Sequence, residues 1–348
     1  MAASVKDVAA RAGVSPKTVS NVVHNRPKVA PETRLRVQAA MAELGYQPNL
    51  TARSLRSGRT GLLTLAIPNI AAPYFAELAH LVIEAAAARD YTVLIEETEG
   101  LRAREVDVLN GVPPRLSDGT VISPLALNAD DVRDFAPRGP IVLLGERIGD
   151  GPADHVAVDN EAVARDATAH VVGLGRRRVA AVGYQDDPLA GTSQLRYRGF
   201  CTALRDAGLE VPAPVAVDTY EWSDGAAAVD ALLQRETVPD ALVCFNDELA
   251  IGAMRRLSEL GYSVPGDVAV IGIDDIPEAR HMIPSLSTVA PDKGVLAATV
   301  VDRLLERIDG AAEGPRDVVI PHRLVVREST RGRRPLAVTA APAAGERA

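Results

Sequence analysis

Between residues 15 and 21 the sequence reads Ser15-Pro16-Lys17-Thr18-Val19-Ser20-Asn21, a set of side chains that can do chemistry on a nucleic acid. Lys17 can donate to guanine O6 and N7, or meet a phosphate. The Asn21 amide offers the paired donor and acceptor that match adenine. Thr18 and Ser20 carry hydroxyls that reach phosphate oxygens. Pro16 has no side-chain donor, so that position offers only shape or a methyl contact. These groups work together only on one rigid element. A helix supplies it, because it places Lys17, Thr18 and Asn21 on one face and Val19, Val22 and Val23 on the other.

The flanking residues predict that helix and its neighbours. Ser4 followed three residues on by Asp7 starts a helix with a capping box, and Gly13 stops it. Ser15 can then cap a second helix, with Pro16 at its first position. Two short helices joined at Gly13, the second with a small polar outer face, describe a helix-turn-helix. A third helix opens at Pro31-Glu32-Thr33, buries Val37, Ala40, Met41 and Leu44, and stops at Gly45. Pro48-Asn49 opens a fourth, from Leu50 to about Arg56, closed by Gly58. At roughly two turns it is too short to be stable in water alone and forms only against a partner. Its Leu55 stands between Arg53, Ser54 and Arg56. It is either a leucine that packs on the body or one that serves a bound partner.

Charge separates this head from the rest. Residues 1–60 hold ten Lys and Arg against three Asp and Glu, a net of +7, within a chain of net charge −8, which leaves −15 on the remainder. A basic head on an acidic body puts the polyanion contact at the N-terminus. At 348 residues the chain is too long for one small core, and two or three domains are expected. No apolar run approaches a bilayer span, and Lys6, Asp7 and Arg11 interrupt any signal-peptide core, so no membrane partner is expected. Two cysteines, Cys201 and Cys244, are too few for a disulfide scaffold and suit a reducing, cytoplasmic location.

After Gly61 short apolar runs alternate with helical stretches. Leu62–Ile67, Thr92–Ile95, Gly119–Ile122, Pro140–Leu144, His155–Val158, Arg178–Gly183, Val215–Val217, Ala241–Phe245 and Val268–Ile273 read as strands. Pro73–Arg89, Arg102–Leu109, residues from about Asn160 to Leu174, Gln194–Ala207, Ser223–Leu233 and Glu248–Leu260 read as helices between them. Strands without polar alternation, separated by helices, mean parallel sheets covered on both faces. About 270 residues of this doubly wound α/β pattern imply two lobes. Tyr74 and Phe75 fall at a strand-to-helix switch. The lone Trp222 lies in a polar loop, as a core anchor or a stacking platform. Asn246-Asp247 follow an apolar strand, at the carboxyl end where such sheets bind ligands. Asp159-Asn160 reads as a helix cap.

The stretches VKDVAARAGVSPKTVSNVV, VAPETRLRVQAAMAELGYQPN and ARSLRSGRTG, with the junction Tyr46-x-Pro48-Asn49, resemble the headpiece and hinge of the LacI/GalR family of bacterial transcriptional regulators. Ala66-Ile67-Pro68-Asn69, Ala72-Pro73-Tyr74-Phe75, Val158-Asp159-Asn160, Arg196-x-x-Gly199-Phe200, Phe245-Asn246-Asp247 and Ile271-Gly272-Ile273-Asp274-Asp275 are similar to the body of that family, itself like periplasmic sugar-binding proteins.

The resemblance implies an all-α headpiece over 1–48 and a hinge over 49–60. It further implies an α/β periplasmic-binding-protein-like body over 61–330, with three crossovers near residues 160, 290 and 320. The N-lobe then takes about 61–160 and 290–320, and the C-lobe about 161–289 and 321–330. Residues 331–348, rich in Arg, Ala and Pro, are expected to be disordered. Double-stranded operator DNA would meet Ser15, Pro16, Lys17, Thr18, Ser20 and Asn21, with Arg53, Leu55 and Arg56 of the hinge. Leu55 would be a wedge in the minor groove. A small effector would meet Asn69, Tyr74, Phe75, Arg147, Arg196, Trp222, Asn246 and Asp274. A carbohydrate is the expected effector, with a nucleobase or other metabolite as the alternative. The chain is expected to be a homodimer, and no enzyme, since P-loop, GxSxG and metal-spaced histidine signatures are missing. No cofactor and no metal are expected. A transporter's solute-binding protein would share the body but lack the basic head.

Overall fold

The computed structural model describes residues 3–23, 28–46, 59–110, 116–135, 139–145, 153–186, 191–235 and 238–331. The chain forms two compact units, Met1–Thr60 and Gly61–Ala348.

The first unit is a three-helix head: α1 (Val5–Ala12), α2 (Pro16–Val23) and α3 (Pro31–Glu43). The capping box starts α1, with the Ser4 amide donating to Asp7 Oδ2 at 2.8 Å and the Asp7 amide to Ser4 Oγ at 3.4 Å. Gly13 takes φ +64°, a left-handed turn that glycine adopts without steric cost. The amides of Gly13 and Val14 then return to the carbonyls of Ala10 and Ala9. Ser15 caps α2 by accepting from the Thr18 amide at 3.1 Å. Val8, Val19 and Val37, one from each helix, are wholly buried and form the centre of a small core with Ala9, Ala12, Val22 and Ala40.

The second unit contains two six-stranded sheets. The first is built from β1 (Leu62–Ile67), β2 (Thr92–Glu97), β3 (Gly119–Ile122), β4 (Ile141–Leu144), β5 (Asp154–Val158) and β11 (Asp317–Ile320), in the order β11-β5-β4-β3-β1-β2. Every pair in it is parallel. The second is built from β6 (Val179–Tyr184), β7 (Val215–Ala216), β8 (Ala241–Cys244), β9 (Ala269–Ile273), β10 (Ser287–Pro291) and β12 (His322–Val325), in the order β12-β10-β9-β8-β6-β7. Only β12 runs antiparallel to its neighbour. The chain passes between the sheets at Asp159, Asp292 and Pro321.

Helices cover both faces of each sheet, so the central strands β4, β8, β9 and β10 are buried along their whole length. On the first lobe these are α4 (Pro73–Ala87), α5 (Arg102–Asn110), α6 (Ala129–Phe135) and α12 (Lys293–Ile308). On the second they are α7 (Asn160–Gly173), α8 (Gly191–Asp206), α9 (Trp222–Leu233), α10 (Asp247–Glu259) and α11 (Pro277–His281), with α13 (Glu328–Arg331) near the end. Trp222 therefore opens a helix, where the sequence reading has a polar loop. Its preceding residue Glu221 is the N-cap, and the helix begins one residue earlier than its apolar stripe suggests. Residues 332–348 and the hinge helix expected from Leu50 to Arg56 lie outside the described residues.

Two contacts fix the lobes internally. Asp154, wholly buried at the start of β5, accepts from Arg303 at 3.0 Å, from Arg307 at 2.7 Å and from the Arg316 amide at 2.7 Å. It pins α12 to the sheet edge. In the second lobe α9 and α10 cross backbone to backbone. A Cβ on Gly252 would overlap the carbonyl oxygen of Trp222, and one on Gly225 that of Leu249. No flexible side chain is there to yield. The substitution Gly252→Ala is therefore expected to lower stability by about 1–3 kcal/mol, the usual range for overpacking. Chemical denaturation followed through the single tryptophan measures it. A wild-type midpoint would refute the close crossing.

Candidate functional site

On the head, α2 turns Val19 and Val22 inward, so Ser15, Pro16 and Lys17 stand exposed and Thr18, Ser20 and Asn21 half-exposed. Ser15 has a second task, since its hydroxyl already serves the cap and lies 3.0 Å from that of Thr18. Arg11 pairs with Glu43 across the head at 2.5 Å and so joins the ends of α1 and α3. Arg53, Leu55, Arg56 and the body residue Arg147 lie outside the described residues.

Between the two sheets of the body lies a cavity of 930 Å³. Its walls include Asn69, Tyr74, Phe75, Trp222, Asn246 and Asp274 at strand ends and helix starts, and Arg196 from within α8. Tyr74 and Phe75 open α4 after its Pro73 start, edge to face with ring centroids 5.2 Å apart. Asn69 is exposed and uses its Oδ1 to accept from the Ala71 amide at 2.8 Å, which shapes the turn into that helix. Trp222 is 47% exposed, which excludes the core-anchor reading.

Arg196, on α8, is 8% exposed. Its Nε donates to Asn160 Oδ1 at 2.5 Å, one terminal nitrogen to the Phe245 carbonyl, and the other lies 3.8 Å from Asp274 Oδ1. The reading of Asp159-Asn160 as a cap needs correction for one of the two residues. Asp159 does cap α7, accepting from Ala162 at 2.9 Å. Asn160 instead turns inward, lines the cavity and holds Arg196. Asn246 has a structural duty as well. It caps α10 through Leu249 at 2.8 Å, and its Nδ2 donates to the Tyr220 carbonyl at 3.0 Å.

Beneath Asp274 sits Asp247, wholly buried, accepting from Thr288 Oγ1 at 2.7 Å and from the Ile276 amide at 3.0 Å. Burial pushes its carboxyl well above the ordinary range, and the neighbouring charge of Asp274 pushes the same way. Sequence reasoning missed Glu248, which lines the cavity one residue further on. Burial first, and Asp274 next, raise it to about 7, although a hydrogen bond from Trp222 opposes the shift. A Glu in the first turn of a helix after Asn246-Asp247 was the only available signal. Among the described residues no three or more His, Cys, Asp or Glu are grouped to hold a metal, and no helix is long and apolar enough to cross a membrane. The site can therefore grip a small polar molecule with a guanidinium, carboxylates and an amide, against aromatic faces.

The Glu248 shift has a sign. A carboxyl with a higher pKa folded than unfolded stabilises the native state at low pH, and that contribution is lost as pH rises from the ordinary 4.5 to about 7. Relative to wild type, Glu248→Gln should therefore flatten the fall in melting temperature across that window. Parallel profiles for the two proteins would show that Glu248 is an ordinary surface acid.

Comparison with known proteins agrees with this fold. Residues 4–49 match the profile of bacterial regulatory proteins of the lacI family, and residues 168–330 that of the periplasmic binding protein-like domain. The HTH-type transcriptional repressor PurR of Pasteurella multocida (strain Pm70) is 30% identical over 334 residues, 95% of this chain and 99% of that protein. The transcriptional regulator CelR in its cellobiose complex is 29% identical with a TM-score of 0.69, over 94% of this chain and 99% of that one. The lac repressor dimer bound to operator and the anti-inducer ONPF is 27% identical with a TM-score of 0.79, over 95% and 99%. With a three-helix head, two α/β lobes and this similarity from end to end, the chain belongs to the LacI family of bacterial transcriptional repressors.

Proposed function

We propose that this repressor is a homodimer whose affinity for operator DNA is set by a carbohydrate bound between the two lobes of its body. The observation that carries the reading is the cavity. Aromatic faces from Tyr74, Phe75 and Trp222 meet the buried Arg196–Asp274 pair and the Glu248 carboxyl across a space large enough for a mono- or disaccharide. Sugar rings stack on aromatic faces and donate hydroxyl protons to carboxylates. The cellobiose complex of CelR supports the same class. A nucleobase is the second reading, supported by the aromatic faces and by the similarity to the PurR repressor.

Dimerisation is supported by the exposed apolar side of the first lobe. Edge strand β2 leaves Leu94 and Ile95 open, and neighbouring α4 leaves Ile83 open. Such an edge is covered in stable proteins. A two-fold dimer would present two copies of α2 to two half-sites. Operator specificity is assigned to Lys17 and Asn21, with phosphate contacts from Thr18, Ser20 and the head's other cations. A ligand that prefers one lobe arrangement then shifts the population competent for DNA.

Two measurements test this. Arg196→Ala should weaken the effector by roughly 10- to 150-fold, the range for losing a charged hydrogen bond, while operator binding without effector stays intact. Titration calorimetry and fluorescence anisotropy read the two separately, and an unchanged effector affinity would move the site elsewhere. Operator binding should also fall with salt, log K against log salt having a slope of about −0.9 per phosphate contacted. A flat response would remove the electrostatic role of the head.

A further inference from the structure

Lys293 is the first residue of α12, immediately after the second passage between the lobes. A lysine there could reach solvent, yet this one is 6% exposed. Its ammonium donates to Glu77 on α4 of the first lobe and, at 3.2 Å, to the carbonyl oxygen of Asp275 on the second. The Tyr74 ring lies 5.9 Å from the same nitrogen. A buried ammonium needs several partners at once, and here they come from both lobes.

The Asp275 carbonyl belongs to an unusual turn. Asp274 and Asp275 both have positive φ, +116° and +51°, although neither is glycine. Such a turn persists only where its surroundings impose it. The Asp275 carboxylate is held by Arg327 at 2.5 Å, with Arg280 and Arg323 within 3.6 Å, and its amide donates to Thr288. The Asp274 amide donates to the Val289 carbonyl at 2.9 Å. The Asp274 carboxylate faces Arg196 in the cavity. The turn is thus anchored within its own lobe on one side and faces the cavity on the other. One contact with the opposite lobe runs through Lys293.

We infer that Lys293 is a positioning residue that ties the Asp274–Asp275 turn of the cleft to helix α4, so that the lobe arrangement and the grip on a cleft ligand change together. The inference rests on the reading of the cleft as the effector site. Glu77 supplies the counter-charge on the first lobe, and the ammonium of Lys293 lies near the Tyr74 ring, which itself packs against the cores of both lobes. A ligand that alters the Asp274 turn would draw the Asp275 carbonyl toward or away from the ammonium. The ammonium is also bound to α4, so the change is transmitted across the cleft. Small shifts of this kind become lobe rotations because packed cores have a few discrete arrangements rather than a continuum.

The test uses the full-length protein labelled at one exposed position on each lobe, Arg104→Cys and Arg205→Cys, with the distance distribution read by electron spin resonance and operator affinity by anisotropy. Glu77→Gln removes the counter-charge at a half-exposed site and keeps the fold. Lys293→Met removes the ammonium and keeps the stem. Both are expected to broaden or shift the distribution without ligand and to change operator affinity by about fivefold or more. The effect of Glu77→Gln is expected to vanish when Lys293 is already Met. A wild-type distribution and operator affinity in Glu77→Gln overturn the inference, even if Lys293→Met does not fold. The two readings fail separately. Arg196→Ala that keeps full effector affinity would remove the effector site but not the tie, which these variants probe without ligand.

Discussion

A guanidinium buried among carbonyl and carboxylate groups organises the body of this repressor. Arg196 leaves α8 and is met by Asn160 from the start of α7, by the Phe245 carbonyl at the end of β8 and by Asp274 after β9. An unpaired buried charge is so costly that these three segments must converge whenever the protein is folded. Their convergence sets the second lobe's wall of the cavity. Asn246 extends it by holding the Tyr220 carbonyl, and Asp247 supports it from below through Thr288 and Ile276. The floor of the cleft is thus a fixed polar lattice, while Trp222 and Glu248 stand at its margin with more exposure.

Much of this is legible in the sequence. Runs such as Leu62–Ile67 and Ala241–Phe245 lack polar alternation because the strands are covered on both faces, and that alone gives the α/β class. The head was equally legible, since a capping box, Gly13 and a valine stripe are local signals. The return of the chain to the first lobe over about 290–320 was readable only through the family resemblance, not from local signals. Leu296, Ala297, Val300, Val301 and Leu304 have helical spacing, but nothing nearby says that they pack beneath β1 and β3, more than 170 residues upstream. Asn160 was hidden by its neighbour, because Asp159 satisfies the capping signal and leaves Asn160 without a separate one. Glu248 was hidden in another way. In sequence it is an acid that complements a helix N-terminus. Its hydrogen-bond partner Trp222 comes from a helix that starts 25 residues earlier and that two glycines let approach closely.

The same contrast separates the head from the body energetically. Four valines and three alanines make a core small enough to rest heavily on its caps, so Ser4, Asp7 and Ser15 matter more there than a cap does in the body. In the body, where sheets carry the stability, polar groups are free for recognition and some are placed at a cost. Asp247, pushed well above the usual carboxylate range by its burial, is one. The left-handed pair Asp274 and Asp275 is another.

The triple passage between the lobes also governs synthesis. The first lobe begins at Leu62, yet part of its core is helix α12, at Lys293–Ile308, and one sheet edge is strand β11, at Asp317–Ile320. On the ribosome its first five strands emerge long before these segments. The apolar groove that Leu296, Val300 and Leu304 will fill stays open while the whole second lobe is being made. The basic head, whose contacts are all local, can fold at once. The second lobe waits only for β12 and the short helix after it. The nascent chain thus carries a finished DNA-reading head ahead of an unfinished, aggregation-prone lobe. In this architecture the first lobe to be started is completed only after most of the second has been made, and a chain stopped short of α12 and β11 cannot close the cleft.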